Sequence, residues 1–398
     1  MNKNWLRAVI VLLIGILPIG CESPSETATP DTPGAEPPIQ IPATAKYPAQ
    51  VVLASVTSPD LAISGTGAVE NTVVTYEVRD SLGAPVGEGI PMYFSFEFYP
   101  NSFTMVGTAP RLMPPSASTD VAGRVSVTVL SGTQAGVVQL SARIPLGTRT
   151  ISSAPVRITV HAGFPDQAHF TLAAAQYNFP GLEINYVSDK ITVLVGDKFS
   201  NPVVPGTAVL FNTSHGVITT GDGLTGLTDD DGFVSKFLYS ANPRPEGSIA
   251  YWGNGFSYVY ARTKGEGGAE ILDSIRILWS GAPLLVTDPG NPATFAITNG
   301  GTAGPWNFQI VDRYGHPVSE GMTISITGEA LKFFGNAVDF RMPDTQSNGP
   351  GLTDFSFTAS DADALTASIP PTPSAITITI THPVYRGIKA VLARGTVQ

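Results

Sequence analysis

The chain has 398 residues, with 22 Lys and Arg against 32 Asp and Glu, a net charge of −10. Only 14% of its residues are charged, and the acidic balance excludes a nucleic-acid-binding face, which needs clustered basic side chains. Gly (41) and Pro (34) exceed ordinary usage and predict many turns, while the 42% hydrophobic fraction is enough to build true cores.

In chain order, the first element is not part of the fold. Lys3 and Arg7 precede an apolar run from Ala8 to Pro18. That run is too short for a membrane-spanning helix, which needs about 20 apolar residues. A basic start, a short apolar core and small residues after it read as a secretory signal over residues 1–20; the competing reading is a short membrane anchor. The one cysteine, Cys21, follows immediately in "LPIGC". A lone thiol builds neither an internal disulfide nor a metal site.

Ile19, Gly20 and Cys21 resemble the lipobox of bacterial lipoproteins, with Pro18 where that family usually has Leu. The resemblance implies cleavage after Gly20, a diacylglycerol thioether on Cys21 and acylation of the new amine, so that the membrane is a partner through the lipid. Two or more acyl chains hold stably where one does not. The alternative is ordinary cleavage and a free thiol. Residue 22 is Glu rather than the Asp that retains enterobacterial lipoproteins at the inner membrane. The resemblance therefore implies the outer membrane and leaves open which of its faces, the cell surface included.

Residues 21–46 are rich in Pro, Thr, Ser and Glu and cannot bury a core. They read as an extended tether reaching ~80 Å at about 3.1 Å per residue.

From Tyr47 the chain repeats itself. "DSLGAPVGEG", "DKFSNPVVPG" and "DRYGHPVSEG" share the form D-x-x-[GS]-x-P-V-x-x-G. Their aspartates, Asp80, Asp197 and Asp312, are 117 and 115 residues apart. A second landmark follows each: "TDVAG" (Thr119–Gly123), "TDDDG" (Thr228–Gly232) and a weaker "TQSNG" (Thr345–Gly349). Flanking the landmarks apolar residues alternate, as in Val74, Tyr76, Val78; Met92, Phe94, Phe96, Phe98; Val125, Val127, Val129; and Met322, Ile324, Ile326. Period two means strands with one face buried. Short strands separated by Gly, Pro, Asn and Asp predict an all-β chain of three tandem antiparallel immunoglobulin-like sandwiches, at 47–162, 163–281 and 282–398.

The two landmarks together resemble bacterial Ig-like domains of the invasin and intimin type. That resemblance implies a cell-envelope stalk or adhesin with a protein or glycan ligand.

"DRYGHPVSEG" taken alone holds the residue types of acid–base chemistry. Set beside its relatives, His316, Ser319 and Glu320 fall at variable places. The repeated residues are Asp80, Pro85 and Gly89, then Asp197, Pro202 and Gly206, then Asp312, Pro317 and Gly321. These are turn formers: Asp accepts local N–H groups, Pro fixes φ, and Gly accepts φ > 0. The histidines show no metal-ligand spacing, and neither a phosphate loop nor a G-x-S-x-G elbow occurs. The reading is therefore a non-enzymatic protein without a cofactor.

Two stretches keep a binding alternative open. Asp229, Asp230 and Asp231, with Asp222 upstream, resemble part of a calcium loop but lack its closing Glu; the competing reading is a solvated turn. "YWGNGFSYVYAR" (Tyr251 to Arg262) could offer aromatics to a sugar or protein, against the plainer expectation that they fill the core.

Overall fold

A computed structural model describes residues 40–43, 45–100, 107–219, 223–363 and 371–398. Cys21, the signal segment, most of the tether and Asp222 lie outside the described residues. The chain is nearly all β, and its strands form three successive sandwiches of two sheets each.

One topology is used three times. In the first sandwich, a four-stranded sheet runs Gln50–Val56, Asn71–Arg79, Arg124–Leu130, Arg111–Met113. The facing sheet runs Asp60–Ala62, Val156–His161, Gly136–Leu146, Pro91–Phe98, Ser116–Ser118. The second and third sandwiches repeat this order, without the extra strand Arg149–Ser152 that pairs with Gly136–Leu146 in the first. In each, a short early strand crosses to the second sheet and pairs there in parallel: Asp60–Ala62, Asn178–Phe179 and Thr294–Ile297. Every other strand pairing is antiparallel.

Alternation explains the faces. Val74, Tyr76 and Val78 are buried, as are Val125, Val127 and Val129 opposite them. Met322 and Ile324 are buried and Ile326 is half-buried. The alternation fails in one place. Met92 and Phe94 point inward, but Phe98 is 56% exposed. The register against Gly136–Leu146 slips between Phe96 and Phe98, and the bulge turns the end of the strand outward.

Each sandwich closes on its own apolar cluster. The second centres on Trp279, fully buried edge-on to Phe179 at 5.1 Å, with its indole N–H donated to Ser257 Oγ at 2.8 Å. The third centres on Trp306, stacked 5.3 Å from Phe357 and bonded to the Pro292 carbonyl at 3.0 Å. Each indole thus buries its ring and satisfies its one donor. Replacing Trp279 by Ala leaves a cavity and strands Ser257, at a cost of about 3–5 kcal/mol. Urea unfolding of Trp279→Ala should show that loss in the transition of the second sandwich alone.

Candidate functional site: the joints between sandwiches

The repeated motif is a capped turn. Asp80 Oδ1 accepts the amides of Leu82 and Ala84, each at 2.9 Å. Asp197 Oδ1 accepts those of Phe199 (2.8 Å) and Asn201 (3.0 Å), and Asp312 Oδ1 those of Tyr314 (2.8 Å) and His316 (3.0 Å). The Ala84 amide first, then that of Leu82 and the ammonium of Lys46, hold the Asp80 carboxyl below its usual range. Pro85 and Pro202 each make a bridge to the strand before the turn, and Val86, Val203 and Val318 plug the cores. Gly89, Gly206 and Gly321 close the motif at φ of 94°, 84° and 86°, where a side chain would be strained.

The second carboxylate oxygen does something a turn does not require. Asp197 Oδ2 accepts the amide of Gly163 at 2.9 Å, and Asp312 Oδ2 that of Gly281 at 3.1 Å. Both glycines lie on the connection from the preceding sandwich. In the first sandwich Lys46 holds the same place, two residues before a proline as Gly163 and Gly281 are, and its Nζ is 3.5 Å from Asp80 Oδ2. The motif aspartate therefore fixes its own turn with one oxygen and the incoming chain with the other.

The variable motif positions reach the neighbouring sandwich. Phe199 packs on the first core and Tyr314 on the second. Asn201 donates to the Thr133 carbonyl at 2.8 Å and accepts the Ala135 amide at 3.1 Å. His316 bonds the Asn254 carbonyl at 2.9 Å and stacks edge-on with Phe256 at 4.9 Å. Lys198 donates to the Gly65 carbonyl at 2.9 Å, and Arg313 pairs with Glu246. Leu82, the corresponding residue of the first sandwich, is 92% exposed.

The third copy of the second landmark is not at Thr345–Gly349. The backbone place of Thr119 and Thr228 is taken by Met342, whose N–H and C=O pair with Met322 and Gly321 as Thr119 pairs with Ile90 and Gly89. Strand pairing resumes at Thr353, which accepts the Ile310 amide as Gly123 accepts that of Val78. The segment from Met342 to Thr353 is longer than its counterparts, and the extra residues clamp the second sandwich. Asp344 accepts the amides of Tyr177 and Asn178, both at 2.8 Å. Gln346 bonds the carbonyls of Tyr177 and Arg276 at 2.8 Å and accepts from Arg276 Nε at 3.1 Å. Asn178 answers with its side-chain nitrogen 3.0, 3.1 and 2.8 Å from the carbonyls of Pro317, Val318 and Thr345. Tyr385 adds a hydroxyl to the carbonyls of Pro180 and Ser280.

Within "DRYGHPVSEG", Ser319 Oγ does sit 3.0 Å from a histidine, His382 Nε2. The His382 Nδ1 accepts the amides of Val384 and Tyr385, so the ring proton is on Nε2 and is donated to the serine. That tautomer cannot take the serine proton, and burial pushes the imidazole down to about 4. Ser319 is itself buried.

Asp229 Oδ1 accepts the amides of Asp231 (3.1 Å) and Phe233 (2.8 Å), the pattern by which Asp120 caps Ala122 and Arg124. Among the described residues no three His, Cys, Asp or Glu side chains gather as a metal cage.

The aromatics of 251–262 are not core. Inward positions belong to Ser257, Val259 and Ala261, because Trp279 fills the space opposite and needs the small Ser257 beside its N–H. The aromatic rings lie outside in a row: Tyr251 to Trp252 at 4.7 Å, Trp252 to Tyr258 at 4.9 Å, Tyr258 to Tyr260 at 6.2 Å. Tyr251 and Trp252 are exposed, and Tyr258 and Tyr260 half-buried.

No family model matches this sequence, and neither does any curated protein. Solved structures of bacterial adhesins and of intimin and invasin-type Ig-like domains do resemble it. FdeC, an Escherichia coli adhesin, is 14% identical with a TM-score of 0.40, over 88% of this chain and 96% of that one. InvD of Yersinia pseudotuberculosis is 17% identical with a TM-score of 0.40, over 88% and 98%. A C-terminal intimin fragment, solved with the intimin-binding domain of the translocated intimin receptor, is 11% identical with a TM-score of 0.25, over 63% and 69%.

Two predictions follow from the second joint. Asp312→Asn keeps an oxygen for the turn but removes the acceptor facing Gly281. Hydrogen exchange at the Gly281 amide should accelerate about tenfold or more, the loss of roughly 1–3 kcal/mol, with the core amides of both sandwiches unchanged. The other concerns Asp189, on Ser188–Asp197, whose Oδ1 accepts the Gln176 amide at 3.0 Å. Burial first, and then the charge of Asp344 across the joint, push its carboxyl up to about 7. A pKa raised by folding stabilises the fold fully below the unfolded value near 3.8 and loses that contribution as pH rises to about 7. Thermal melts should show Asp189→Asn losing less stability than the natural chain between about pH 5 and about pH 8.

Proposed function

We propose that the chain is a lipid-anchored cell-envelope stalk or adhesin. Cys21 carries the lipid at the outer membrane, residues 21–46 form a tether, and sandwiches at 47–162, 163–281 and 282–398 stand in line beyond it. The observation that carries this reading is the joint built twice to one plan. A buried aspartate that spends one oxygen on its turn and the other on the connecting glycine sets the direction of each sandwich from the one before it. Order at a joint serves a part that must span distance or bear load. The outward aromatic row Tyr251–Trp252–Tyr258–Tyr260 supports a ligand-contact role on the side of the second sandwich, for a protein or glycan.

Cell fractionation with protease shaving tests both halves. Cys21→Ala should move the protein from the membrane fraction to the soluble fraction. Trp252→Ala should leave the anchor intact and reduce adhesion. Retention of Cys21→Ala in the membrane argues against the lipid. Sandwiches cut only after the outer membrane is permeabilised argue against surface adhesion.

A further inference from the structure

The second sandwich departs from its sisters at two neighbouring places, and both departures serve one histidine. The fourth motif residue is Gly83 in the first copy and Gly315 in the third, at φ of 82° and 80°. In the second copy it is Ser200, at φ of 65°, a region where a side chain is strained. The residue before the motif aspartate is Arg79 in the first copy and Val311 in the third, but Gly196 in the second. A Cβ at Gly196 would stand 3.0 Å from the Cβ of His169. The missing side chain makes room for His169, and the strained serine faces its imidazole. Ser200 Oγ is 3.0 Å from His169 Nε2, and His169 Nδ1 is 3.0 Å from Asp166 Oδ2.

The order of these contacts fixes the protons. Asp166 is a carboxylate and only accepts; its Oδ2 also takes the Ala168 amide at 2.9 Å. The proton of a neutral His169 is therefore on Nδ1, leaving the Nε2 lone pair to receive the serine O–H. This is the reverse of the Ser319–His382 pair, where two amides on Nδ1 leave Nε2 protonated. Access differs too. Ser200 is exposed, the His169 and Asp166 side chains are about a third exposed, and Ser319 is buried.

We propose that Ser200, His169 and Asp166 form a nucleophilic site that takes acyl groups from small esters. Ser200 Oγ bonds to the ester carbonyl carbon while its proton passes to His169 Nε2. The tetrahedral adduct breaks its bond to the alcohol oxygen, which leaves with that proton, and an acyl-serine remains. Water repeats the step through the same nitrogen and releases the carboxylic acid. Asp166 is a positioning residue, holding the imidazole in the receiving tautomer.

The full-length protein treated with a biotin-bearing alkyl fluorophosphonate tests this directly. Ser200 Oγ forms the bond to phosphorus, fluoride leaves, and His169 takes the proton. Peptide mapping should find the adduct on Ser200. Ser200→Gly, which restores the residue of the sister turns, should abolish it while melting no lower than the natural chain. His169→Gln should slow labelling about a hundredfold. Asp166→Asn should lower the plateau of the labelling rate against pH, which a purely structural role would leave unmoved. An unlabelled Ser200 beside a labelled serine hydrolase in the same tube overturns the proposal. So does labelling that His169→Gln leaves unchanged.

Discussion

A buried carboxylate must be fully hydrogen-bonded, and that demand couples each turn to the joint beside it. Asp197 and Asp312 are almost completely removed from solvent. Asp197 meets the amides of Phe199, Asn201 and Gly163 and the side-chain nitrogen of Asn201. Asp312 meets the amides of Tyr314, His316 and Gly281. Were the preceding sandwich to swing away, the connecting glycine would go with it, leaving Asp312 Oδ2 without a donor and Asp197 Oδ2 with the Asn201 side chain alone, states disfavoured by the cost of desolvation. Bending the chain at a joint is thus tied to disturbing a turn packed into a core through Val203 or Val318. Asp80 marks the contrast. Its outer oxygen meets only the ammonium of a largely exposed lysine, a weak contact in water.

The two joints share this aspartate but not their reinforcement. At the first, Asn201, Lys198 and Phe199 carry the contact, and a cavity remains between the sandwiches. At the second, the segment after Met342 brings Asp344 and Gln346 onto the amides and carbonyls around Tyr177, and Tyr385 reaches across from another loop. Asn178 reciprocates, so the clamp closes from both sides. Burying Asp189 beside Asp344 sets a like-charge repulsion against these bonds. The second joint is therefore the stiffer, and the first is where a bend meets fewer bonds.

Local chemistry decides how much of this was legible in the sequence. Period-two alternation and the turn motif specify strands and turns within a few residues of themselves, so three sandwiches could be read from Val74–Val78, Val125–Val129 and the spacing of Asp80, Asp197 and Asp312. What acts between units could not. His316 and Asn201 looked like free substitutions because their partners lie on the preceding sandwich. The motif accounts for the turn oxygen of each Asp side chain, and nothing local announces the second. "TQSNG" was matched by resemblance to a turn, whereas the backbone of Met342 holds that place and the polar residues after it are contacts. The aromatics of 251–262 were expected inside because large apolar residues usually are. Trp279, from the neighbouring strand, had already filled the space. One signal in the sequence does mark the middle unit: a serine, Ser200, where both sister turns have glycine.

The middle sandwich carries most of the departures from the shared plan, and its position gives a reason. Both of its ends are taken up by joints: the turn at Asp197 is covered by the first sandwich, and the region of Asn178, Asn254 and Phe256 by the third. Loop tips, the usual place for binding residues in a sandwich, are spent there on neighbours. What remains free is its flanks. The aromatic row occupies the outer face of one sheet, reached through the strand Phe256–Lys264, whose inward residues are reduced to Ser257, Val259 and Ala261. Ser200 and His169 occupy the margin of the first joint, where Gly196 gives up its side chain to admit that histidine. A middle unit can acquire chemistry only along its sides, and there the substitutions that remove the turn glycine and add the outward rings are found.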